Sequence, residues 1–242
     1  MTVGKPAEPL AKPGEALRAV VFDMDGVLVE SEHLWERMWT RYAERHGHEW
    51  SAEDTATVQG MSSPEWSDYL RRVCDSPEPA DEVERAVVDE MVAALRNGEI
   101  ELLDGAREMV VDVGSVVPIA LASSAPRRLI DAVLAGHDLS DRFTATVSSA
   151  EVPRGKPSPD VYVEAAGRLG VTGDECAAVE DSGNGIRAAH AAGMAVVAIP
   201  SVGYPPKPDA IAAARVVATS LQHVRHTLLA CFGDRTTESE GA

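Results

Sequence analysis

Residues 19–26, Ala-Val-Val-Phe-Asp-Met-Asp-Gly, narrow the choice of fold more than any other stretch of this chain. The run is short, apolar and rich in strand-forming residues, so Val20, Val21 and Phe22 read as a buried strand. It stops at two carboxylates, Asp23 and Asp25, followed at once by Gly26. In open α/β sheets ligands gather beyond the carboxyl ends of the strands. Two acids spaced by two at such an edge can face one pocket, and burying like charges is costly unless a cation or a proton offsets it. The pair therefore predicts a metal site or an acid/base site. The plainer alternative is a strand that ends in a polar Asp-Gly turn.

The rest of the chain predicts an α/β protein with a Rossmann-like parallel-sheet core flanked by helices. Strands are expected at 18–23 and then near 116–122, 143–148, 176–180, 195–199 and 215–218. Helices are expected over 105–113, 126–135, 159–169, 184–192 and 221–231. Such alternation implies a parallel sheet covered on both faces. Between the first strand and the others the pattern is helical. Ser31 is a candidate N-cap for a helix carrying Leu34, Trp35, Met38, Trp39 and Tyr42 on one side, with Gly47 as its stop. Further helical pieces cover about 64–73 and 80–96. The organisation expected is a disordered tail over 1–16, an α/β core from 17–30 and 104–232, an inserted all-helical cap over 31–103, and a frayed tail over 233–242. An insertion at the catalytic edge of a sheet is well placed to act as a lid, with hinges near Glu30–Glu32 and Glu99–Asp104.

Composition excludes several functions. The net charge of −17 argues against nucleic acid or anionic membranes as partners. No apolar stretch reaches the length of a membrane span, and Pro6, Pro9, Pro13 and Gly14 interrupt any signal-peptide core. Cys74, Cys176 and Cys231 are scattered, which fits neither a zinc site nor a disulfide framework and points to a cytoplasmic protein. Nothing in the sequence sets the oligomeric state; a monomer is the working expectation.

Three more segments bear on the chemistry. Ile119–Ser124 is an apolar run ending in the hydroxyls of Ser123 and Ser124. Gly155-Lys156-Pro157-Ser158-Pro159-Asp160 puts one lysine in a loop before a helix. Cys176–Asp181 is an apolar run ending in Glu180 and Asp181, followed by Ser182-Gly183-Asn184-Gly185. Each has an ordinary reading alone: an N-cap, a solvated lysine, a capping pair of acids. In this order the four segments resemble the four motifs of the haloacid dehalogenase-like superfamily, and most closely its phosphatase and β-phosphoglucomutase-like branch with a helical cap.

The resemblance implies a Mg²⁺-dependent phosphatase acting on a small phosphorylated metabolite, such as a sugar phosphate, through an aspartyl-phosphate. It makes Asp23 the nucleophile and Asp25 the acid that protonates the leaving oxygen and then the base for water. Ser123 and Ser124 would hold phosphoryl oxygens, and Lys156 would balance the charge of Asp23 and the phosphate. Mg²⁺ would lie on Asp23, the backbone carbonyl of Asp25 and Asp181, with Glu180 as a ligand or just behind it. Gly60 and Met61 resemble the cap loop that reaches into the site in this branch.

Competing readings are weaker. Gly183–Ala188 matches G-x-G-x-x-A, but the next strand ends Ile199-Pro200-Ser201 without the acid a dinucleotide needs. No G-x-x-x-x-G-K sequence is present. His33, His46 and His48 lack matched ligand partners, and Trp35, Trp39, Trp50 and Trp66 read as mostly cap core. The mutases of the branch carry a histidine twelve residues after the nucleophile and an arginine three after the cap-loop glycine. Here those positions are Trp35 and Ser63, which favours a phosphatase over a sugar phosphomutase. A non-catalytic binding protein would be expected to have lost Asp23, Asp25, Lys156 or Asp181, and all four are present.

Overall fold

A computed structural model of the protein describes residues 10–11, 16–58, 61–201, 203 and 205–233. Most of the two predicted tails, together with Gly60, lies outside them. Leu10 does not behave as part of a disordered tail: it is buried in the core, and its carbonyl accepts from the Arg215 guanidinium at 2.8 Å.

The core is a six-stranded parallel sheet formed by β1 (Ala19–Phe22), β4 (Ile119–Ser123), β5 (Ala145–Ser148), β6 (Cys176–Glu180), β7 (Ala195–Ala198) and β8 (Val216–Val217), in the order β5-β4-β1-β6-β7-β8. β1 is central, with Phe22 level with Leu121 of β4 on one side and with Val179 of β6 on the other. From β1 the chain winds outward to β4 and β5, then returns to the opposite side at β6. The switch in direction falls between β1 and β6, where a crevice opens beyond the strand ends.

Side-chain alternation divides the core between the two faces. Val20, Phe22, Ile119, Leu121, Ala177 and Val179 point into one apolar layer that also holds residues of α5 (Ala106–Val116), α6 (Arg127–Gly136) and α10 (Leu221–Gly233). Ala19, Val21, Ala120, Ala122, Cys176 and Ala178 point into the other, beneath α7 (Asp160–Arg168) and α8 (Gly183–Ala191). The second face is rich in alanine, which lets those two helices approach closely.

Between the first strand and the rest of the sheet stand α1 (Glu32–Arg45), α2 (Ala52–Val58), α3 (Ser63–Val73) and α4 (Ala80–Arg96). Their two connections to the core pair with each other as a short antiparallel ribbon, β2 (Val29–Glu30) with β3 (Glu101–Leu102). Neither the ribbon nor α2 follows from hydrophobic periodicity. β4 begins three residues later than expected because α5 continues to Val116. The helical insertion rests on the core at several places, two of them helix contacts. α4 packs on α6, where Leu95 lies against Gly136, and the start of α3 sits over Gly155.

Candidate active site

Asp23 continues directly from β1, its backbone N–H donating to the Val179 carbonyl at 3.0 Å. The carboxyl ends of β4 and β6 place Ser123 and Glu180 at nearly the same height. Lys156 arrives from the loop before α7. Its ammonium donates to Asp23 Oδ1 at 2.8 Å, to Glu180 Oε1 at 2.7 Å and to the Ala122 carbonyl at 3.1 Å. The ammonium also lies 5.1 Å from the centre of the Tyr162 ring, and the Tyr162 hydroxyl donates to Glu180 Oε1 at 2.7 Å.

Carboxylate oxygens of Asp23, Glu180 and Asp181 lie within 4.8 Å of one another, and all three residues are buried. With all three acids ionised, one lysine leaves the cluster two positive charges short of neutrality, which suits a divalent cation. The backbone is shaped around the same group. A Cβ on Gly26, whose φ is +75°, would lie 2.1 Å from Asp181 Oδ2, and a Cβ on Gly185 would lie 1.7 Å from Glu180 Oε1. Gly185 of the G-x-G-x-x-A run thus has a local reason to be glycine, because it leaves room for a carboxylate.

Glu180 is already saturated. Oε1 takes Lys156 and Tyr162; Oε2 takes the backbone N–H of Asp181 at 3.1 Å and both the N–H (3.2 Å) and hydroxyl (3.1 Å) of Ser182. A carboxylate has about four lone-pair sites, so Glu180 is built as an anchor for Lys156 and the strand end, and has little left for a metal.

Protonation follows the same geometry. Burial, reinforced by Glu180 and Asp25 but opposed by Lys156, pushes Asp23 up to about 8. Burial and the neighbouring Glu180 and Asp23 push Asp181 well above the carboxylate range. For Lys156, burial acts downward, but Asp23 and Glu180 outweigh it and hold the ammonium charged. Asp25, partly open to the cavity, is raised by burial and pulled back by two donors on Oδ1, the Ser31 hydroxyl and the Trp35 indole N–H at 3.1 Å. Ser31 does precede α1, but its hydroxyl serves Asp25 instead of capping the helix.

These groups open into a cavity of about 100 Å³. Asp23, Asp25, Ser124, Lys156, Asp181 and Ser182 line its core side, and Glu32, Trp35, Trp39, Thr55, Met61 and Trp66 belong to its cap side. The sequence-predicted residues Asp23, Asp25, Ser124, Met61, Lys156 and Asp181 therefore share one space. Ser123 is fully buried beneath it, accepting from the Ala125 N–H at 3.0 Å, and Glu180 lies behind Lys156. Tyr162, Glu32, Thr55 and three tryptophans were not predicted at the site. An apolar stripe at helical spacing cannot separate core packing from cavity lining, and these indoles do both.

A family model described as haloacid dehalogenase-like hydrolase matches residues 17–193, and the chain belongs to that family. It is 35% identical over 191 residues to hexitol phosphatase B of Escherichia coli (strain K12), covering 76% of this chain and 83% of that protein. It is 31% identical over 182 residues to a phosphorylated carbohydrates phosphatase of Thermotoga maritima, covering 74% and 82%. The fold is similar to that of CbbY from Rhodobacter sphaeroides, solved in complex with phosphate, with a TM-score of 0.77, 26% identity, and coverage of 86% of this chain and 96% of that one. No described helix is long and apolar enough to cross a membrane.

Proposed function

We propose that this protein is a Mg²⁺-dependent phosphomonoesterase of small phosphorylated metabolites, working through an aspartyl-phosphate on Asp23. The observation that supports it most directly is the buried Asp23–Lys156–Glu180 contact beside Asp181, at 2.7–2.8 Å, beneath a capped cavity. Such a constellation presents one carboxylate for attack while a fixed cation limits its repulsion of the incoming phosphoryl group. Relatives named as phosphatases support the same reading.

In the first step an oxygen of Asp23 bonds to phosphorus and the ester P–O bond breaks. The departing alcohol oxygen takes its proton from Asp25, whose carboxyl is raised above its ordinary range by burial. In the second step Asp25 accepts a proton from water, whose oxygen attacks phosphorus and frees phosphate and Asp23. Lys156 stays charged throughout, and Glu180 and Tyr162 keep it aimed. Mg²⁺, held by Asp23, Asp181 and the backbone carbonyl of Asp25, would supply the positive charge the cluster lacks. Trp35 and the buried Ser63 occupy the positions where a mutase would carry a histidine and an arginine, which weighs toward hydrolysis.

The test is phosphate release from p-nitrophenyl phosphate and a panel of metabolite monophosphates, with Mg²⁺, with EDTA, and with Asp23→Asn. Release that requires both Mg²⁺ and Asp23 is expected. Release that survives Asp23→Asn would remove the covalent step. Conversion of β-glucose 1-phosphate to glucose 6-phosphate faster than phosphate release would make the protein a mutase.

A further inference from the structure

The two halves of the cavity differ in charge. The core side holds the phosphoryl-handling groups, and among the described residues Lys156 is the only cationic side chain that lines the cavity. That ammonium is committed where it is: its three N–H bonds go to Asp23, Glu180 and the Ala122 carbonyl. Arg154, the nearest arginine in sequence, is exposed and paired with Asp160 at 2.9 Å.

The cap side brings no cation. Three tryptophans, Val58 and Met61 supply an apolar wall, with Thr55 and Glu32 as its polar members. Neutral donors are not to spare either. The Trp35 N–H is given to Asp25 at 3.1 Å, the Thr55 hydroxyl to Glu36 at 3.2 Å, and the Met61 backbone N–H to the Val58 carbonyl at 3.0 Å. The Trp39 nitrogen is buried out of a ligand's reach, and Trp66 is only 1% exposed.

Glu32 is the one charged residue of the cap side. It is half-buried, and its Oε2 accepts from the Ser201 hydroxyl at 2.6 Å. Asp181, raised chiefly by burial, Glu180 and Asp23, is raised further by Glu32, so the charge of that carboxylate reaches across the cavity. A second anionic group, carried on the leaving alcohol, would therefore give up water against an apolar wall and face a like charge with no cation beside it. Burying an unpaired ion costs far more than burying an unpaired hydroxyl. The phosphate being transferred escapes this penalty, because Lys156 and the N-terminus of α8 stand on its side.

We propose that the substrates are phosphomonoesters whose phosphate is their only anionic group, and that the negative charge of Glu32 enforces this selectivity. The inference rests on the phosphatase reading above. It admits alcohols with neutral or cationic bodies and turns away bisphosphates and phosphorylated carboxylic acids.

The experiment compares kcat/KM, at saturating Mg²⁺, within two matched pairs: 3-phosphooxypropanamide against 3-phosphooxypropanoate, and glycerol 3-phosphate against 3-phosphoglycerate. In each pair the bodies are of similar size, and the second carries a carboxylate close to the ester. The neutral member should be favoured by about tenfold or more in both. In Glu32→Gln that preference should shrink by about threefold or more. Each value is a ratio within one preparation, so partial misfolding or weakened Mg²⁺ binding in the variant does not affect it. A carboxylate member turning over as well as its neutral partner would overturn the assigned class. A preference unchanged in Glu32→Gln would overturn the role of Glu32. Release from none of the four, nor from p-nitrophenyl phosphate, would overturn the phosphatase reading itself.

Discussion

Replacing Glu180 with glutamine separates two roles for this residue, anchor of the site or ligand of the proposed Mg²⁺. Glu180 is fully buried, and its two oxygens receive five donors: Lys156 and Tyr162 on one, two backbone N–H groups and the Ser182 hydroxyl on the other. Glutamine presents one oxygen and one NH₂. In either orientation its NH₂ faces groups that also donate, and Lys156 loses a counter-charge. Removing one partner of a buried ion pair costs about 3–5 kcal/mol. Asp23 remains 2.8 Å from the ammonium, which puts the expectation at the lower end, about 3 kcal/mol. For a chain of this size each kcal/mol corresponds to roughly 2–4 °C, so the metal-free protein should melt about 6–12 °C lower. Thermal unfolding in EDTA, with and without added Mg²⁺, measures this directly. A residue whose main task is ligation would behave in the opposite way. Removing one of three mutually repelling acids would leave the EDTA melt unchanged or raised, and the loss would appear in the Mg²⁺ dependence. That result would refute the anchoring role.

Three further outcomes follow from the same geometry. Gly26→Ala must place a Cβ about where Asp181 Oδ2 now lies, at a φ of +75°; Mg²⁺-dependent phosphate release should fall at least tenfold, and activity near wild type would show that Asp181 does not need its present position. Asp23 is held up at about 8 and Asp181 is raised as well, so Mg²⁺ binding near pH 7 should release about one proton and tighten as pH rises toward 8; calorimetry in buffers of different ionisation enthalpy would detect a proton count near zero if this is wrong. Tyr42 donates to Glu78 at 2.7 Å, and burial and Glu78, opposed by Ser76, push it up to about 12. Its folded pKa exceeds its unfolded one, so its contribution is intact below pH 10 and fades between about 10 and 12; the urea-measured stability gap between wild type and Tyr42→Phe should shrink over that window, and a constant gap would contradict the assignment.

The strands that carry the site were legible because each is a short apolar run stopped by acids or hydroxyls. β1, β4 and β6 end in Asp23, Ser123 and Glu180, and a parallel sheet brings such ends together whatever their separation in sequence. The two-residue ribbon β2–β3 has no periodicity to detect, and α2 is a single short turn-rich helix carrying two threonines among its seven residues. Hydrogen-bond choices were also hidden. Ser31 has the sequence context of a helix cap, yet its hydroxyl goes to Asp25, because the chain doubles back through Gly26 and brings that carboxylate within reach. Tyr162 has the spacing of a core residue on α7 and is one, but its buried oxygen is what fixes Glu180. Packing places such polar tips, and no local pattern in the sequence announces them.

The central position of β1 has a consequence for how the chain is made. Its hydrogen-bonding neighbours begin at Ile119 and Cys176, so during synthesis Ala19–Phe22 leaves the ribosome long before either edge exists to receive it. At about 5–20 residues per second, the interval between Phe22 and Ile119 is on the order of 5–20 seconds. Throughout it an apolar strand, ultimately buried on both faces, has no partner. The intervening helices can form early because their contacts are local, whereas the strand that leads to Asp23 must wait. Arg18 on one side and Asp23 on the other are well placed as gatekeepers against self-association. Asp23 would then protect the newborn chain before the cluster around it has assembled.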